Sequence, residues 1–315
     1  WCANPVFCCG DPDSLYQPLN KLDMNKYIEI IVQSYQGYAG YLLHEIISPS
    51  WGNYFYWLIG ISLFFFGLEW WMPWRKSQKL LRNDFWLDVF YMFFNFFLFS
   101  LIGFYALSNV FVEFFNGFLT NVLGITNLVA IYLGGLPSLV QLAILFVLRD
   151  FIHWNIHRLL HQVPFLWAFH KVHHSAKEMG FATHLRYHWM ENVVYKVLEY
   201  LPLGMIGFGI QDFFFIHLLA TAIGHFNHSN IKVPLGLLKY IFNNPQMHTW
   251  HHAKVLPDAY PNGVNFGISL SIWDYVFKTA YVPHDGDSIE LGYPGDEEMP
   301  QNFSGQAIFP LKKVG

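Results

Sequence analysis

Charge is scarce in this chain. Only 13% of its 315 residues are Asp, Glu, Lys or Arg, where soluble domains average about 25%. With 54% hydrophobic and 20% aromatic residues, the deficit points to a membrane protein. A net charge of −4 gives no basic footprint, so no nucleic-acid partner is expected. Cysteine is confined to Cys2, Cys8 and Cys9. A metal site further along cannot then use thiolates, and a disulfide among the three stays open. Residues 1–26 lack a basic stretch leading into an apolar run, so no signal peptide is expected there. Gly204, Gly207 and Gly209 sit in an apolar run rather than after a strand, so they do not read as a nucleotide-binding loop. There is no low-complexity segment and no second domain boundary.

Histidine is what the chain has in excess. Of its 16 histidines, 14 fall between His153 and His252. His170-Lys171-Val172-His173-His174 and His248-Thr249-Trp250-His251-His252 repeat the pattern H-x-x-H-H. His153, His157 and His161 precede the first copy at four-residue spacing, and His225 and His228 precede the second. Residues three or four apart share a helix face, and neutral imidazole is the commonest protein metal ligand. The pattern therefore predicts imidazoles converging on metal. His44, His217 and His284 stand alone and read as ordinary packing or hydrogen-bonding residues.

Residues 54–72 and 85–109 are apolar runs near the length that crosses a bilayer core. Between them lie Arg75, Lys76, Lys79 and Arg82, whereas 110–148 holds no Lys or Arg. The positive-inside rule puts 73–84 in the cytoplasm and 110–136 on the other side. Leu136–Leu148 returns, and Leu201–Gly224 is long enough for two shorter spans or one span and a re-entrant piece. Every histidine motif then lands on the cytoplasmic face. Tyr27–Ile47 carries Glu29, Gln33, Gln36 and Glu45 and reads as an interfacial helix. Trp51, Trp57, Trp70, Trp71 and Trp74 flank the first run as an aromatic belt would.

An all-imidazole donor set suits first-row ions such as iron or zinc. Nine or ten histidines exceed the needs of one ion, so two metals are expected. Asp150, three residues before His153, either orients an imidazole from behind or is a helix-end charge. A zinc hydrolase would show three ligands and a base, as in H-E-x-x-H, which does not occur. A membrane metal-binding or transport protein is the alternative of another class, but transporters hold their ligands near the bilayer midplane.

The run His157-Arg158-Leu159-Leu160-His161, Trp167 and His170-Lys171-Val172-His173-His174-Ser175 closely resembles the sterol desaturase/fatty acid hydroxylase superfamily. The resemblance continues through Arg186-Tyr187-His188, His228-Ser229-Asn230, Asn265-Phe266-Gly267, Trp273-Asp274 and Phe277, and covers roughly 145–280. It implies an all-α integral membrane protein of about four transmembrane helices, with a cytoplasmic helical cap holding a histidine-rich di-metal site. On that reading 1–50 is an N-terminal segment with an interfacial helix, 51–280 a membrane-embedded catalytic domain and 281–315 a cytoplasmic tail. The resemblance implies His157, His161, His170, His173, His174, His228, His248, His251 and His252 as ligands, and His225 is expected as a tenth from its place on the face of His228. Asp150, His153, His188, Asn265 and Asp274 are expected to stand behind the ligands. Lys278 occupies a position where the family tends to have Gly.

What the resemblance implies is an oxygenase with two Fe ions, for which Zn could substitute on purification. It would use O2 to hydroxylate a membrane lipid (fatty acyl, sterol or ether lipid), with desaturation and ether cleavage left open. Its electrons would come from a ferredoxin, a cytochrome b5-like protein or a soluble reductant. The His228 segment and the tail through Phe309-Pro310-Leu311 look closest to the alkylglycerol-monooxygenase-like branch.

Overall fold

The structure, a computed structural model, describes residues 24–313 apart from 128, 132, 207 and 209. Cys2, Cys8, Cys9, Gly207 and Gly209 lie outside the described residues. Among the described residues the regular elements are all helices, and pairing is limited to isolated bridges such as Phe242–Leu270 and Ala253–Leu291. The chain divides into two compact units, Trp1–Tyr56 with Phe93–Ala130 and Trp57–Met92 with Ile131–Gly315.

In the first unit, α1 (Met24–Ile47) runs antiparallel to α4 (Tyr105–Leu123) and the π-helical turns before it. Asn109 Nδ2 donates to Ser34 Oγ at 2.8 Å, and Lys26 pairs with Glu113. At Gly103 the helix breaks (φ 173°, ψ −19°), and the hydroxyl of Tyr35 donates to the carbonyl of Ile102 at 2.7 Å. A side chain thus satisfies a carbonyl beside the break. Of the polar residues that suggested an interfacial α1, Glu45 is buried and Glu29, Gln33 and Gln36 are exposed.

The second unit carries every clustered histidine. Its elements are α2 (Tyr54–Trp71, from Trp57), α3 (Phe85–Phe93, to Met92), α5 (Ser138–Gln162), α6 (Pro164–His174), α7 (Trp189–Gly204), α8 (Ile210–His228), α9 (Pro245–His251), α10 (Ile272–Val276) and α11 (Phe303–Lys313). Helix α5 stops at Val163, which is extended (φ −92°, ψ 114°) because Pro164 follows. Pro164 then opens α6, where its missing N–H costs nothing. Helix α9 starts the same way, with Pro245 in its first turn and the Asn244 side chain accepting from Met247 N at 2.8 Å.

On α5, Leu145, Arg149, His153, His157 and His161 recur every four residues and form one stripe. On α7, Glu191, Tyr195, Glu199 and Leu203 form another. Leu145, Leu203 and Ile216 of α8 pack as an apolar cluster. Further along, Arg149 pairs with Glu199, whose Oε2 also lies 2.7 Å from His153 Nε2. Beyond that come the histidines. The interior between these helices therefore changes from apolar to ionic to imidazole, and its charges are paired, as membrane bundles require.

Among the described residues, Phe85–Leu123 and Ser138–Gln162 are long and apolar enough to cross a membrane. The expected span 85–109 thus continues as helix to Leu123. The tail is fastened to the histidine helices: Gly292 N donates to His252 O at 3.0 Å, Lys254 N to Glu290 O at 2.9 Å, and α11 packs on α6. Lys278 has φ 59°, a conformation glycine adopts without strain, so the substitution falls on a turn and not on the site.

Candidate metal centre

Four helices aim nine imidazoles into one interior. His157 and His161 come from the last turns of α5, His170, His173 and His174 from α6, His228 from the end of α8, and His248 and His251, with His252 at the next position, from α9. They form two groups: His157, His161, His170, His174 and His251 in one, His173, His228, His248 and His252 in the other. Within each group the ligand atoms lie within 4.8 Å of one another. The groups abut, with the rings of His174 and His252 stacked at 4.3 Å and those of His248 and His251 stacked at 5.1 Å.

Backbone carbonyls set the ring orientation. Nδ1 of His157 lies 2.8 Å from Phe266 O, that of His173 3.0 Å from Arg186 O, that of His228 2.8 Å from Gly224 O, and that of His251 2.7 Å from Val264 O. His170 Nδ1 lies 2.8 Å from Glu191 Oε2. A carbonyl can only accept, so the Nδ1 atoms of His157, His173, His228 and His251 carry the proton and their Nε2 atoms keep lone pairs for the interior.

The donor set fits a cation in each group. His173 Nε2 and His228 Nε2 are 3.2 Å apart, and His228 Nε2 and His248 Nε2 2.9 Å. Both Nδ1 protons of His173 and His228 are committed elsewhere, so two lone pairs face each other, and a bound cation relieves that contact. In the five-histidine group the Nε2 atoms of His161, His170, His174 and His251 are buried without a hydrogen-bond partner, and in the four-histidine group so are both ring nitrogens of His252. Burial first, then neighbouring imidazoles, holds His170, His174, His248, His251 and His252 well below the usual imidazole range. Burial lowers His173 to about 3. The metal-free rings stay neutral, the form that binds metal.

His225 is in neither group. Its Nε2 lies 3.1 Å from Ser62 Oγ and its Nδ1 3.0 Å from His184 Nδ1. It follows His228 by direction on the helix but sits a turn deeper in α8, which corrects the expectation of a tenth ligand.

The residues expected behind the ligands divide. Asp274 accepts from Phe266 N at 2.9 Å, Gly267 N at 2.7 Å and Trp154 Nε1 at 3.1 Å, so it fixes the strand of backbone whose carbonyl orients His157. Asn265, at φ 54°, donates to Met247 O and Tyr281 O and pins the neighbouring Val264 carbonyl under His251. Asp150 instead accepts from Ser269 N, Leu270 N and Trp273 Nε1. His153 meets Glu199, and His188 lies 2.9 Å from Ala307 O; none of these three touches a ligand through a hydrogen bond. Glu191 does, and no spacing rule links it to His170, 21 residues earlier. Arg186 is also new: its guanidinium is held by Asp84 and Asp88, which steadies the carbonyl that His173 uses.

A family model for fatty acid hydroxylases matches residues 142–279. Those residues resemble a fatty acid hydroxylase domain. It is 30% identical to the ornithine lipid hydroxylase of Rhizobium tropici over 179 residues, 57% of this chain and 53% of that protein. It is 30% identical to the alkylglycerol monooxygenase of Homo sapiens over 131 residues (41% and 28%), and 26% identical to a methylsterol monooxygenase of Arabidopsis thaliana over 154 residues (46% and 50%). The chain thus spans about half or less of these relatives. No solved structure matches it. The fatty acid hydroxylase match runs from α5 to Thr279, so it takes in all nine grouped histidines together with Asp274 and Asn265.

Proposed function

We propose that the protein is an O2-dependent di-iron membrane monooxygenase that hydroxylates a lipid at a C–H bond. The observation that carries this reading is the pair of abutting all-imidazole groups with unpaired nitrogens turned inward. His157, His161, His170, His174 and His251 would hold one Fe ion, and His173, His228, His248 and His252 the other. When bound, the irons supply the oxidising power through O2, and the protein supplies orientation and exclusion of water. The carbonyl tethers on Nδ1 hold the rings for that task before metal arrives. Paired Arg149 and Glu199 and the apolar cluster beyond them support a lipid tail lying along the helices, where burial of chain yields about 0.8 kcal/mol per CH2. Such binding positions substrate without itself accelerating chemistry.

The relatives are named for an ornithine lipid, alkylglycerols and methylsterols, which supports a lipid substrate without selecting one. The full reading includes multi-pass insertion through α2, Phe85–Leu123, α5 and the α7–α8 pair, with the centre on the cytoplasmic face and electrons from a ferredoxin, a cytochrome b5-like protein or a soluble reductant. Labelled dioxygen tests it: one labelled oxygen atom appears in the hydroxylated product. Oxygen drawn from water, or turnover without O2, overturns the proposal. An O2-dependent double bond without label supports a desaturase instead.

A further inference from the structure

We propose that Glu69 is a positioning residue for the four-histidine group alone, so that the two ions are held by separable frames. This rests on the two-metal part of the oxygenase reading. Glu69 stands near the end of α2, far in sequence from every ligand and outside the stretch that matches fatty acid hydroxylases. It is 4% exposed, and a carboxyl at that depth has to be met by donors.

Its Oε1 accepts from Phe181 N at 2.7 Å and from Asn230 N at 2.9 Å. One oxygen thereby joins two pieces of backbone that are remote in sequence. The first is the tight turn Phe181–Leu185, which leads into Arg186, whose carbonyl lies 3.0 Å from His173 Nδ1. The second is the exit from α8 just past His228, whose Nδ1 lies 2.8 Å from Gly224 O in the helix behind it. The turn also lies directly on α8: a Cβ on Gly224 would meet the His184 ring at 2.1 Å. Arg186 O and Gly224 O orient the two rings whose Nε2 atoms are 3.2 Å apart. The spacing of those rings therefore depends on how the turn and the helix end are joined, and Glu69 is a joint between them.

The turn is braced from the same side. Thr183 Oγ1 donates to Asp88 Oδ2 at 3.0 Å and accepts from Arg82 Nη2 at 2.8 Å, and Arg82 also pairs with Asp88. At Gly180 a Cβ would meet Arg82 Nη1 at 2.2 Å and Glu69 Oε1 at 3.3 Å, so this glycine gives both groups room beneath the turn. The tethers of the five-histidine group come from elsewhere: Phe266 O on His157, Val264 O on His251 and Glu191 on His170. Asp274, Asn265 and His188 N hold those in place. Loosening the Glu69 joint thus moves His173 against His228 and leaves the other group's tethers as they are.

The test uses the full chain in detergent, loaded with Zn2+ and titrated with a competing chelator. Glu69→Asp keeps the charge but draws the oxygen back by one carbon. Glu69→Gln loses the charge but keeps an accepting oxygen at the same reach. Glu69→Asp is expected to weaken one of the two ions about 10- to 100-fold and to leave the other at its wild-type affinity, while Glu69→Gln holds both. In a His228→Ala background, which breaks the four-histidine group, Glu69→Asp should change nothing further. Unchanged binding of both ions in Glu69→Asp overturns the inference, as does equal weakening of both. So does the reverse order, with Glu69→Gln impaired and Glu69→Asp intact, since charge and not position would then decide. Wild-type protein that takes up fewer than two ions overturns the two-metal reading and this inference with it.

Discussion

His170 Nδ1 and Glu191 Oε2 meet at 2.8 Å with both side chains buried. Glu191 Oε1 also accepts from His188 N at 3.2 Å, so the carboxyl is fixed where it faces the ring. The pair couples ring orientation to metal occupancy. Glu191→Gln is expected to weaken metal binding about 10- to 100-fold, read by chelator competition, while helical content stays unchanged.

His225 supplies the sharpest test of ligand assignment. His225→Ala should retain the metal content of the wild type. His228→Ala and His251→Ala should each lose metal. Elemental analysis of folded samples decides it, and loss of an ion from His225→Ala would restore the tenth ligand.

Asp274 holds backbone rather than metal. Asp274→Ala leaves the buried N–H groups of Phe266 and Gly267 and the Trp154 indole without their acceptor. A cost of at least about 2 kcal/mol is expected, seen as a lower Tm in both metal-free and metal-loaded protein. An effect confined to the loaded form would contradict this role.

Acid should weaken the metal-free protein. His173 has a folded value of about 3 against 6.5 for the free side chain. A depressed value means the unfolded chain takes up the proton first. The contribution of His173 is therefore complete above about pH 6.5 and is lost as pH falls from there towards 3. Denaturant titrations of metal-free protein from pH 7 to pH 4 should show falling stability, and bound metal should shift the loss to lower pH.

Topology is open to chemical labelling. Lys177 is exposed beside the first H-x-x-H-H copy. In a background lacking Cys2, Cys8 and Cys9, Lys177→Cys should resist an impermeant thiol reagent in intact cells and react after lysis. Reaction from outside would invert the orientation.

Eight of the nine grouped histidines lie three or four residues from another of the nine, so local geometry turns them together, whereas His228 has no such neighbour among them and was expected from the family resemblance. His225 marks where that reasoning ends: a helix face gives direction but not depth, and one turn sends its ring to Ser62. Glu191 left no trace because its partner is distant in sequence. Helix continues past 109, where Asn109 and Glu113 meet Ser34 and Lys26 of α1, a long-range pairing that no local pattern announces. The family resemblance covered the site and said nothing of α1.

The carbonyls that orient His157 and His251 belong to Phe266 and Val264, and Asp274 and Asn265 hold them in place. The consequence is one of timing. A ribosome making this chain exposes five of the nine imidazoles by His174, long before the backbone that aligns two of the nine exists. The rings of His157 and His251 gain their backbone tethers only when residues 264–274 have been made, so the nine imidazoles reach their final orientation late in synthesis.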